Sequence, residues 1–237
     1  MEKILESFRE IQQRIAEAKS KAPHGRDVRL VAVSKRQPLE RIKALQEALG
    51  DEQLTLGENY VQEYRDKRES LLPHRVHLIG ALQSNKAKDA VALFDCIESV
   101  HSEKVARALE KEAQKREKML PVLLQINISD DPQKSGLSVG EFQTLAESWN
   151  EHFANLKLRG GMAITAYREN PEDSRDDFRR LYQVVNEVFE ASSESFEGVP
   201  PEVSMGMSAD YHIAIEEGAT LVRVGSALFG ERPPLPQ

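Results

Sequence analysis

Short apolar stretches alternate with longer amphipathic stretches along most of this chain. Runs rich in Val, Ile, Leu and Ala that are bounded by Gly, Pro or polar residues are typical of buried strands. Eight such runs predict strands at 29–35, 54–59, 76–82, 96–100, 120–127, 156–164, 202–208 and 221–230. The intervening stretches, with apolar residues three or four apart, predict helices at 38–49, 61–71, 85–94, 102–118, 138–153, 171–193 and 209–217, after another near 2–20.

This alternation restricts the fold. Strands that are separated by helices pair in parallel through right-handed crossovers, and eight such units in 237 residues are typical of a closed (β/α)8 barrel. An open doubly wound sheet is the main alternative, but no glycine-rich dinucleotide turn follows the first strand. No change in composition marks a linker. We therefore predict an α/β fold: a single TIM barrel with an extra N-terminal helix and one domain over residues 1–237.

Composition and charge argue against several classes of partner. The chain has 32 Lys and Arg against 39 Asp and Glu, a net charge of −7 and 6% aromatic residues, so nucleic-acid binding is not expected. The N-terminal segment has neither a signal-peptide core nor a membrane span, and the one cysteine, Cys96, cannot form an internal disulfide. The histidines lack metal-ligand spacing. These features predict a cytoplasmic protein without a membrane partner or a metal.

Polar residues cluster where the predicted strands end. In a (β/α)8 barrel the carboxyl ends of all strands meet at one mouth, which is where binding and catalytic residues lie. The polar residues at these ends are Lys35, Glu58, Asn59, Asn127, Ser204 to Ser208 and Arg223 to Ser226. We expect them to converge on one site.

The last two strand ends predict an anion site. Ser208 precedes a helix predicted near Ala209, and Gly225 with Ser226 would let backbone N–H groups approach a ligand. Loops after strands 7 and 8 commonly hold phosphate in this fold. Taken singly, Ser208 would be interpreted as a helix N-cap and Gly225 as a packing glycine, but together they favour a phosphate site.

A lysine opposite a phosphate site indicates a ligand with both a phosphate and a carbonyl group. Lys35 could be the nucleophile of an aldolase acting on a sugar phosphate, or it could hold pyridoxal 5′-phosphate (PLP) as an aldimine. Arg223 lies two residues before Gly225, so its side chain should point to the same side of the strand, toward the barrel interior. An arginine there has a use opposite a pyridine nitrogen and no evident use on a sugar phosphate, which favours PLP.

Six motifs in order resemble one known family. They are "VAVSKRQP", "LGENYVQE", "HLIGALQSNK", "INISDDPQKSGLS", "RGGMAIT" and "SMGMSADYHIAIEEGATLVRVGSALFGER". Together they span about residues 29 to 232 and are similar to the pyridoxal phosphate homeostasis protein family, a single-barrel relative of the N-terminal domain of alanine racemases. The resemblance implies a PLP-binding barrel without established turnover. It would buffer or deliver the cofactor, with effects on amino-acid and keto-acid balance.

The resemblance also implies roles for residues around the cofactor ring. Lys35 would form the covalent aldimine, Asn59 would lie beside the ring and Ile79 would pack against its face. Arg223 would face the pyridine nitrogen. Burial and the nearby Arg223 are expected to lower the pKa of Lys35 from its ordinary value of about 10.4.

For the phosphate, the resemblance implies a second set of residues. These are Met207, Ser208, Gly225 and Ser226. The chain departs from the family pattern in its third-strand motif, where an aromatic residue and a second histidine are replaced by Val76 and Ala81. Neither position is expected to hold the cofactor.

We therefore predict a PLP carrier rather than an enzyme, with no catalytic residues. A cationic Arg223 opposite the ring nitrogen would disfavour its protonation and make the cofactor a weak electron sink. A PLP-dependent amino-acid racemase of low activity is the alternative, ahead of a Schiff-base lyase for sugar phosphates. Apo PLP-dependent enzymes are the expected acceptors of the cofactor. A monomer is expected because no swapped arm or extra apolar face is evident.

Overall fold

A closed barrel of parallel strands forms the centre of the molecule. The structure is a computed structural model that describes residues 2–50, 54–131, 133–166 and 168–232. Within these ranges eight strands pair in sequence order, and the last closes on the first. They are β1 (Arg29–Val33), β2 (Thr55–Glu58), β3 (Arg75–Leu78), β4 (Cys96–Val100), β5 (Leu120–Gln125), β6 (Leu156–Met162), β7 (Glu202–Ser204) and β8 (Leu221–Val224). The predicted (β/α)8 barrel is confirmed.

Helices surround the barrel and connect its strands. The α-helices of the described residues are α1 (Glu2–Lys19), α2 (Leu39–Leu49), α3 (Val61–Lys67), α4 (Ala87–Leu93), α5 (Glu103–Lys115), α6 (Val139–Glu147), α7 (Trp149–His152), α8 (Arg175–Ala191), α9 (Tyr211–Glu216) and α10 (Ser226–Phe229). The extra N-terminal helix is confirmed as α1, which packs against α2, α9 and α10. Among the described helices, none has the length and apolar character needed to cross a membrane.

Sequence signals account for several helices. The apolar face of α1 buries Ile11, Ile15 and Ala18, whose spacing of three and four residues places them on one side. At the start of α5 the Ser102 hydroxyl accepts a hydrogen bond from a backbone N–H, and α6 begins with a reciprocal capping box of Ser138 and Glu141. Helix caps and apolar faces encoded in the local sequence therefore stabilise the outer layer, in addition to its packing against the barrel.

Each strand divides its side chains between two apolar layers. The residues packed together inside the barrel are Val31, Val33, Ile79, Leu123, Met162 and Leu221. Alternate residues such as Ala32 and Leu56 pack outward against the helices. A side chain at Gly57 would meet Val31 and Ile79, so this position faces inward and its neighbours Leu56 and Glu58 face outward.

The predicted strands were too long at their carboxyl ends. β1 ends at Val33, β7 at Ser204 and β8 at Val224, because the chain turns away from the ladder as it enters the mouth. Gly206 turns the chain after β7 with a φ of 85°, which favours glycine. The predicted strand over 221–230 therefore includes α10, and the helix predicted from Ala209 begins only at Tyr211.

Candidate ligand site at the carboxyl ends of the strands

One cavity at the mouth of the barrel is lined by several of the polar residues at the strand ends. It has a volume of about 260 Å³, just below the range of about 300–1,000 Å³ that holds drug-sized ligands, and is therefore suited to a small ligand. Its lining contains all eight residues predicted as site residues: Lys35, Asn59, Ile79, Met207, Ser208, Arg223, Gly225 and Ser226. Four further lining residues were missed from the sequence: Val33, Ile164, Ala209 and Arg232.

The segment that carries Lys35 is held from behind by a partly buried ion cluster, in which only Glu58 is fully buried. The Nζ of Lys67 on α3 lies 2.6 Å from an Oε1 atom of Glu58 and 3.0 Å from Glu63, and it donates a 2.9 Å hydrogen bond to the carbonyl of Ser34. Glu63 also accepts a 2.6 Å hydrogen bond from the backbone N–H of Arg36. These bonds fix the residues on both sides of Lys35.

The position of Glu58 corrects one expectation. Its carboxylate was expected at the mouth, but it is buried on the outward side of β2, against Lys67 and the hydroxyl of Ser34. Burial raises the pKa of Glu58 above its ordinary range, while Lys67 and Ser34 act to lower it. Glu58 therefore supports the Lys35 segment from outside the cavity.

Asn127 was also expected at the mouth and is not part of the cavity lining. Its side-chain amide donates a 2.7 Å hydrogen bond to the carbonyl of Asp131, and its side-chain oxygen accepts one from the Asp131 backbone N–H. This side chain closes a turn after β5, because asparagine readily bonds to backbone a few residues away.

Lys35 combines partial burial with neighbouring positive charge. Burial lowers the pKa of its amine below the ordinary 10.5, and Arg232 and Arg223 lower it further, against a smaller opposing effect of Glu58 and Glu63. The effect of burial and of Arg223 agrees with the sequence-based expectation, whereas Arg232 was not foreseen. A larger fraction of this amine is neutral near pH 7 than in free lysine.

We predict that the reactivity of Lys35 toward an aldehyde follows this pKa. The rate should rise with pH as the amine loses its proton and should level off at a midpoint below that of free lysine. The rate of pyridoxal addition, followed by absorbance from about pH 6 to pH 11 with an acetylated lysine as reference, measures the midpoint. Arg232→Gln should move the midpoint upward, and a midpoint at or above that of the reference would contradict the prediction.

Arg223 is almost completely buried on the inward side of β8, as the two-residue spacing from Gly225 predicted. Its guanidinium donates hydrogen bonds of 2.6 Å to the hydroxyl of Ser204 and 2.7 Å to the carbonyl of Ala163. Burial lowers the pKa of Arg223, and the attraction of Glu98 and Asp210 opposes that effect. The geometry therefore presents a fixed cation at the floor of the cavity.

The ends of β7 and β8 are joined through Ser208. Its hydroxyl accepts hydrogen bonds from the backbone N–H groups of Gly225 at 3.2 Å and Ala227 at 3.3 Å. Gly225 lies so close to Val33 that an added Cβ would sit 3.2 Å from the Cβ of that residue. The Ser208 hydroxyl and the N–H groups of Gly225 and Ala227 thus lie at one corner of the cavity, where they now bond to one another and where an anion would compete for the same donors.

The Met207 backbone N–H is already used within the protein. It donates a 2.7 Å hydrogen bond to the carboxylate of Asp210. Burial raises the pKa of Asp210, while the bond from Met207 and the charge of Arg223 act to lower it. The side chain of Met207 is exposed at the cavity edge, so it would contact a ligand through its apolar atoms.

Asn59 carries a buried polar atom without a partner. Among the described residues nothing hydrogen-bonds to its Oδ1, although the atom is shielded from solvent. Such an atom costs free energy unless a ligand or water satisfies it. Its position in the cavity lining therefore favours a ligand with a hydrogen-bond donor.

Gly80 allows the backbone of Asn59 to reach this place. A Cβ at Gly80 would lie 2.4 Å from the carbonyl oxygen and 2.6 Å from the Cα of Asn59. We predict that Gly80→Ala destabilises the fold by about 1–3 kcal/mol, the usual cost of overpacking, and weakens ligand binding by displacing Asn59. Chemical denaturation and a binding titration check this, with Gly140→Ala on α6, where a Cβ meets open space, as the control. Equal stability of Gly80→Ala and wild type would contradict the prediction.

Other features of the molecule offer no comparable set of groups. A larger groove of about 540 Å³ lies between the starts of α5 and α6 and includes His101, Glu141 and His152, but it belongs to the outer helices. Val76 is buried in the outer apolar layer and Ala81 lies beyond β3, both outside the lining of the mouth cavity. No cluster of three metal-ligating side chains occurs in the part of the chain that the structure describes.

The cavity matches what a phosphorylated aldehyde requires. Lys35 supplies an amine, the corner between β7 and β8 supplies anion donors, and Asn59 supplies an unsatisfied acceptor. Val33 and Ile79 form an apolar wall on which a flat ring would pack. The residues present therefore fit PLP.

Comparisons with known proteins agree with this chemistry. Residues 7–233 match the family "Alanine racemase, N-terminal domain", which gives the class to which the fold and site correspond. A pyridoxal phosphate homeostasis protein of Caenorhabditis elegans is 38% identical over 98% of this chain and 97% of its own length, and one of Aquifex aeolicus is 36% identical over 96% and 97%. Within that class, this chain belongs to the pyridoxal phosphate homeostasis protein family, as the motifs predicted.

A solved structure supports the same assignment. PipY of Synechococcus elongatus with PLP bound is 32% identical to this chain, with a TM-score of 0.76 over 92% of this chain and 99% of PipY. The relatives carry the name of homeostasis proteins rather than that of an enzyme.

Proposed function

We propose that this protein binds PLP covalently at Lys35 and acts in intracellular PLP homeostasis by buffering or delivering the cofactor. The observation that carries the proposal is the convergence of Lys35, Arg223 and the Ser208 corner on one small cavity. The PLP-bound PipY structure and the names of the relatives support it.

The cavity residues would divide the work of binding. When bound, the cofactor supplies an aldehyde that condenses with an amine. Lys35 provides that amine, and its lowered pKa favours the neutral form that can attack. Ile79 and Val33 would pack against the ring, and Asn59 would accept a hydrogen bond beside it.

The phosphate would occupy the corner formed by the last two strand ends. Ser208 and Ser226 offer hydroxyls, and the N–H groups of Gly225 and Ala227, which now bond to the Ser208 hydroxyl, would donate to the phosphate in its place. Met207 covers this corner with its exposed side chain. The positive charge of Arg232 adds long-range attraction for the dianion.

Arg223 favours a carrier, or a racemase that relies on strong acid and base groups, over an enzyme that uses the ring as an electron sink. A guanidinium that faces the pyridine nitrogen disfavours protonation of the ring, since two adjacent cations repel. An unprotonated ring withdraws electrons weakly and gives little help to reactions at a substrate carbon. We propose that no residue of this site is catalytic. We also propose that the protein is a cytoplasmic monomer and that apo PLP-dependent enzymes accept the cofactor from it.

Loading and transfer of the cofactor test the proposal. The purified protein is incubated with PLP, freed of excess cofactor and mixed with an apo-aminotransferase whose activity reports transfer. Activation faster than the release measured with a PLP scavenger supports delivery, while activation at the release rate supports buffering. Failure to take up PLP would overturn the proposal, and conversion of L-alanine to D-alanine by the loaded protein would favour the racemase alternative.

A further inference from the structure

A chain of buried polar side chains crosses the barrel interior beneath Arg223. The hydroxyl of Ser204 on β7 accepts the 2.6 Å bond from Arg223 and donates a 2.5 Å bond to one oxygen of Glu98 on β4. The other oxygen of Glu98 lies 2.6 Å from Nδ1 of His77 on β3. All four side chains are more than nine-tenths buried, so we call Arg223, Ser204, Glu98 and His77 the interior chain.

With Glu98 ionised, the chemistry of the four groups sets the direction of each hydrogen bond in the interior chain. An arginine can only donate, so Ser204 must accept from Arg223 and use its single proton to donate to Glu98. Glu98 then accepts at both oxygens, with His77 donating from Nδ1. The chain thus runs without a break from a cation at the cofactor cavity to an anion in the barrel centre.

The charges along the interior chain compensate one another. Burial opposes ionisation of Glu98, but the hydrogen bond and charge of His77, the charge of Arg223 and the bond from Ser204 together lower its pKa below the ordinary value. A buried cation is stable only when it is paired. Glu98 provides that partner from below, and Asp210 provides negative charge from the side of α9.

We propose that Ser204 and Glu98 are positioning residues that hold the Arg223 cation in one direction against the ring nitrogen of the bound cofactor. The inference rests on the proposed function, because it concerns the ring nitrogen of bound PLP. It assigns control of the protonation of that nitrogen to two residues that do not line the cavity. Without this support Arg223 can turn toward Asp210, leaving the ring nitrogen free to take up a proton. The interior chain therefore keeps the cofactor in its unprotonated, weakly reactive form.

Several other charged groups lie near the guanidinium of Arg223 and would also act on the ring nitrogen of a bound cofactor. Lys35 and Arg232 line the same cavity as Arg223, and Asp210 lies in the segment before α9. Glu98 is the carboxylate that faces Arg223 from β4, and His77 lies beyond it on β3. Asp210 is unchanged in the sequence of the Glu98 and Ser204 variants, so a change in the protonation of the ring nitrogen would be assigned to the interior chain.

The protonation of the ring nitrogen gives a direct test. PLP labelled with ¹⁵N in the ring is loaded on the protein, and its chemical shift is followed from about pH 5 to pH 9. In wild type we expect the shift of an unprotonated nitrogen throughout. In Ser204→Ala and Glu98→Gln it should move toward the protonated value as the pH falls, with about tenfold weaker PLP binding from the loss of a charge-assisted hydrogen bond.

Two further variants separate positioning from general stability. Ser204→Thr retains the hydroxyl and should retain the wild-type shift. Ser99→Ala removes an equally buried hydroxyl that bonds to the carbonyl of Gly80, and it should leave the shift unchanged. If Glu98→Gln does not fold, the comparison of Ser204→Ala with Ser204→Thr tests the inference.

The outcomes distinguish this inference from the proposed function. Uptake of PLP with a flat shift in wild type and a titrating shift in Ser204→Ala supports the inference. A flat, unprotonated shift and unchanged affinity in both Ser204→Ala and Glu98→Gln overturns it and leaves the carrier function standing. Failure of wild type to take up PLP overturns both.

Discussion

Lys35→Ala should reduce covalent incorporation of PLP to background. Wild-type protein loaded with PLP is expected to absorb at about 420 nm, and borohydride should fix the cofactor to the chain with a stable increase in mass. The variant lacks the amine that condenses with the aldehyde and should show neither signal. Weak, non-covalent binding of the phosphate at the corner between β7 and β8 should remain, since Ser208 and Gly225 are unaffected. Absorbance and intact-protein mass spectrometry measure both.

Lys134→Ala provides the matched control for this experiment. Lys134 also lies near the mouth, where its Nζ is 3.5 Å from the carbonyl of the lining residue Ile164, but it is not part of the cavity lining. Its replacement should leave the absorbance and the mass increase intact. Covalent trapping in Lys35→Ala would contradict the assignment of the amine. A wild-type protein that stays colourless with PLP would return Lys35 to the aldolase interpretation.

Lys67→Met should lower the free energy of unfolding by about 3–5 kcal/mol near pH 7, the usual cost of leaving one charge of a buried pair uncompensated. The Nζ of Lys67 holds Glu58 at 2.6 Å and the Ser34 carbonyl at 2.9 Å, so its loss affects both the carboxylate and the Lys35 segment. Chemical denaturation measures the stability. The rate of PLP addition should fall as well, because the residues beside Lys35 lose their support.

The pH dependence of this loss has a definite sign. The folded pKa of Glu58 already lies above its ordinary value of 4.5 and should rise further when Lys67 is removed. A raised carboxyl pKa costs stability in full above the folded value, and the cost declines as the pH falls from the folded value to the unfolded value. The difference between Lys67→Met and wild type should therefore shrink toward pH 4.5.

Two variants keep this prediction falsifiable. The double variant Glu58→Gln with Lys67→Met removes both charges and should recover much of the lost stability. Lys111→Met replaces an exposed lysine on α5 and should have little effect. A loss in Lys67→Met that is independent of pH and unrelieved by Glu58→Gln would show that packing, rather than the ion cluster, is responsible.

Periodicity and strand ends predicted the barrel and much of the site. Eight apolar runs gave the strand count, and the two-residue repeat placed Arg223 inside the barrel before its contacts were known. The same reasoning was wrong for Glu58, where a shift of one position from Gly57 turns the side chain outward. The type of an element follows from the local sequence pattern. The side of a strand to which a given side chain points depends on the register of that strand in the sheet.

The remaining features depend on contacts between distant parts of the sequence. Nothing in "CIESV" distinguishes Glu98 as the partner of Arg223, because that pairing needs β4, β7 and β8 in their final positions. Arg232 lies beyond the last strand, so no strand-end argument could place it beside Lys35. The role of Lys67 was missed for a similar reason, since its pattern on α3 is that of an ordinary surface lysine.

The pairing of β1 with β8 has a consequence for when the protein becomes competent to bind. Lys35 follows the first strand, whereas Arg223 and Gly225 belong to the end of the last, so the cavity exists only after the barrel has closed. Such closure joins parts of the chain that are far apart in sequence and is a late, entropically costly step. During synthesis on the ribosome, the nascent chain therefore cannot capture cofactor before its eighth strand has emerged. Cofactor binding would then report complete folding and would stabilise only the finished barrel.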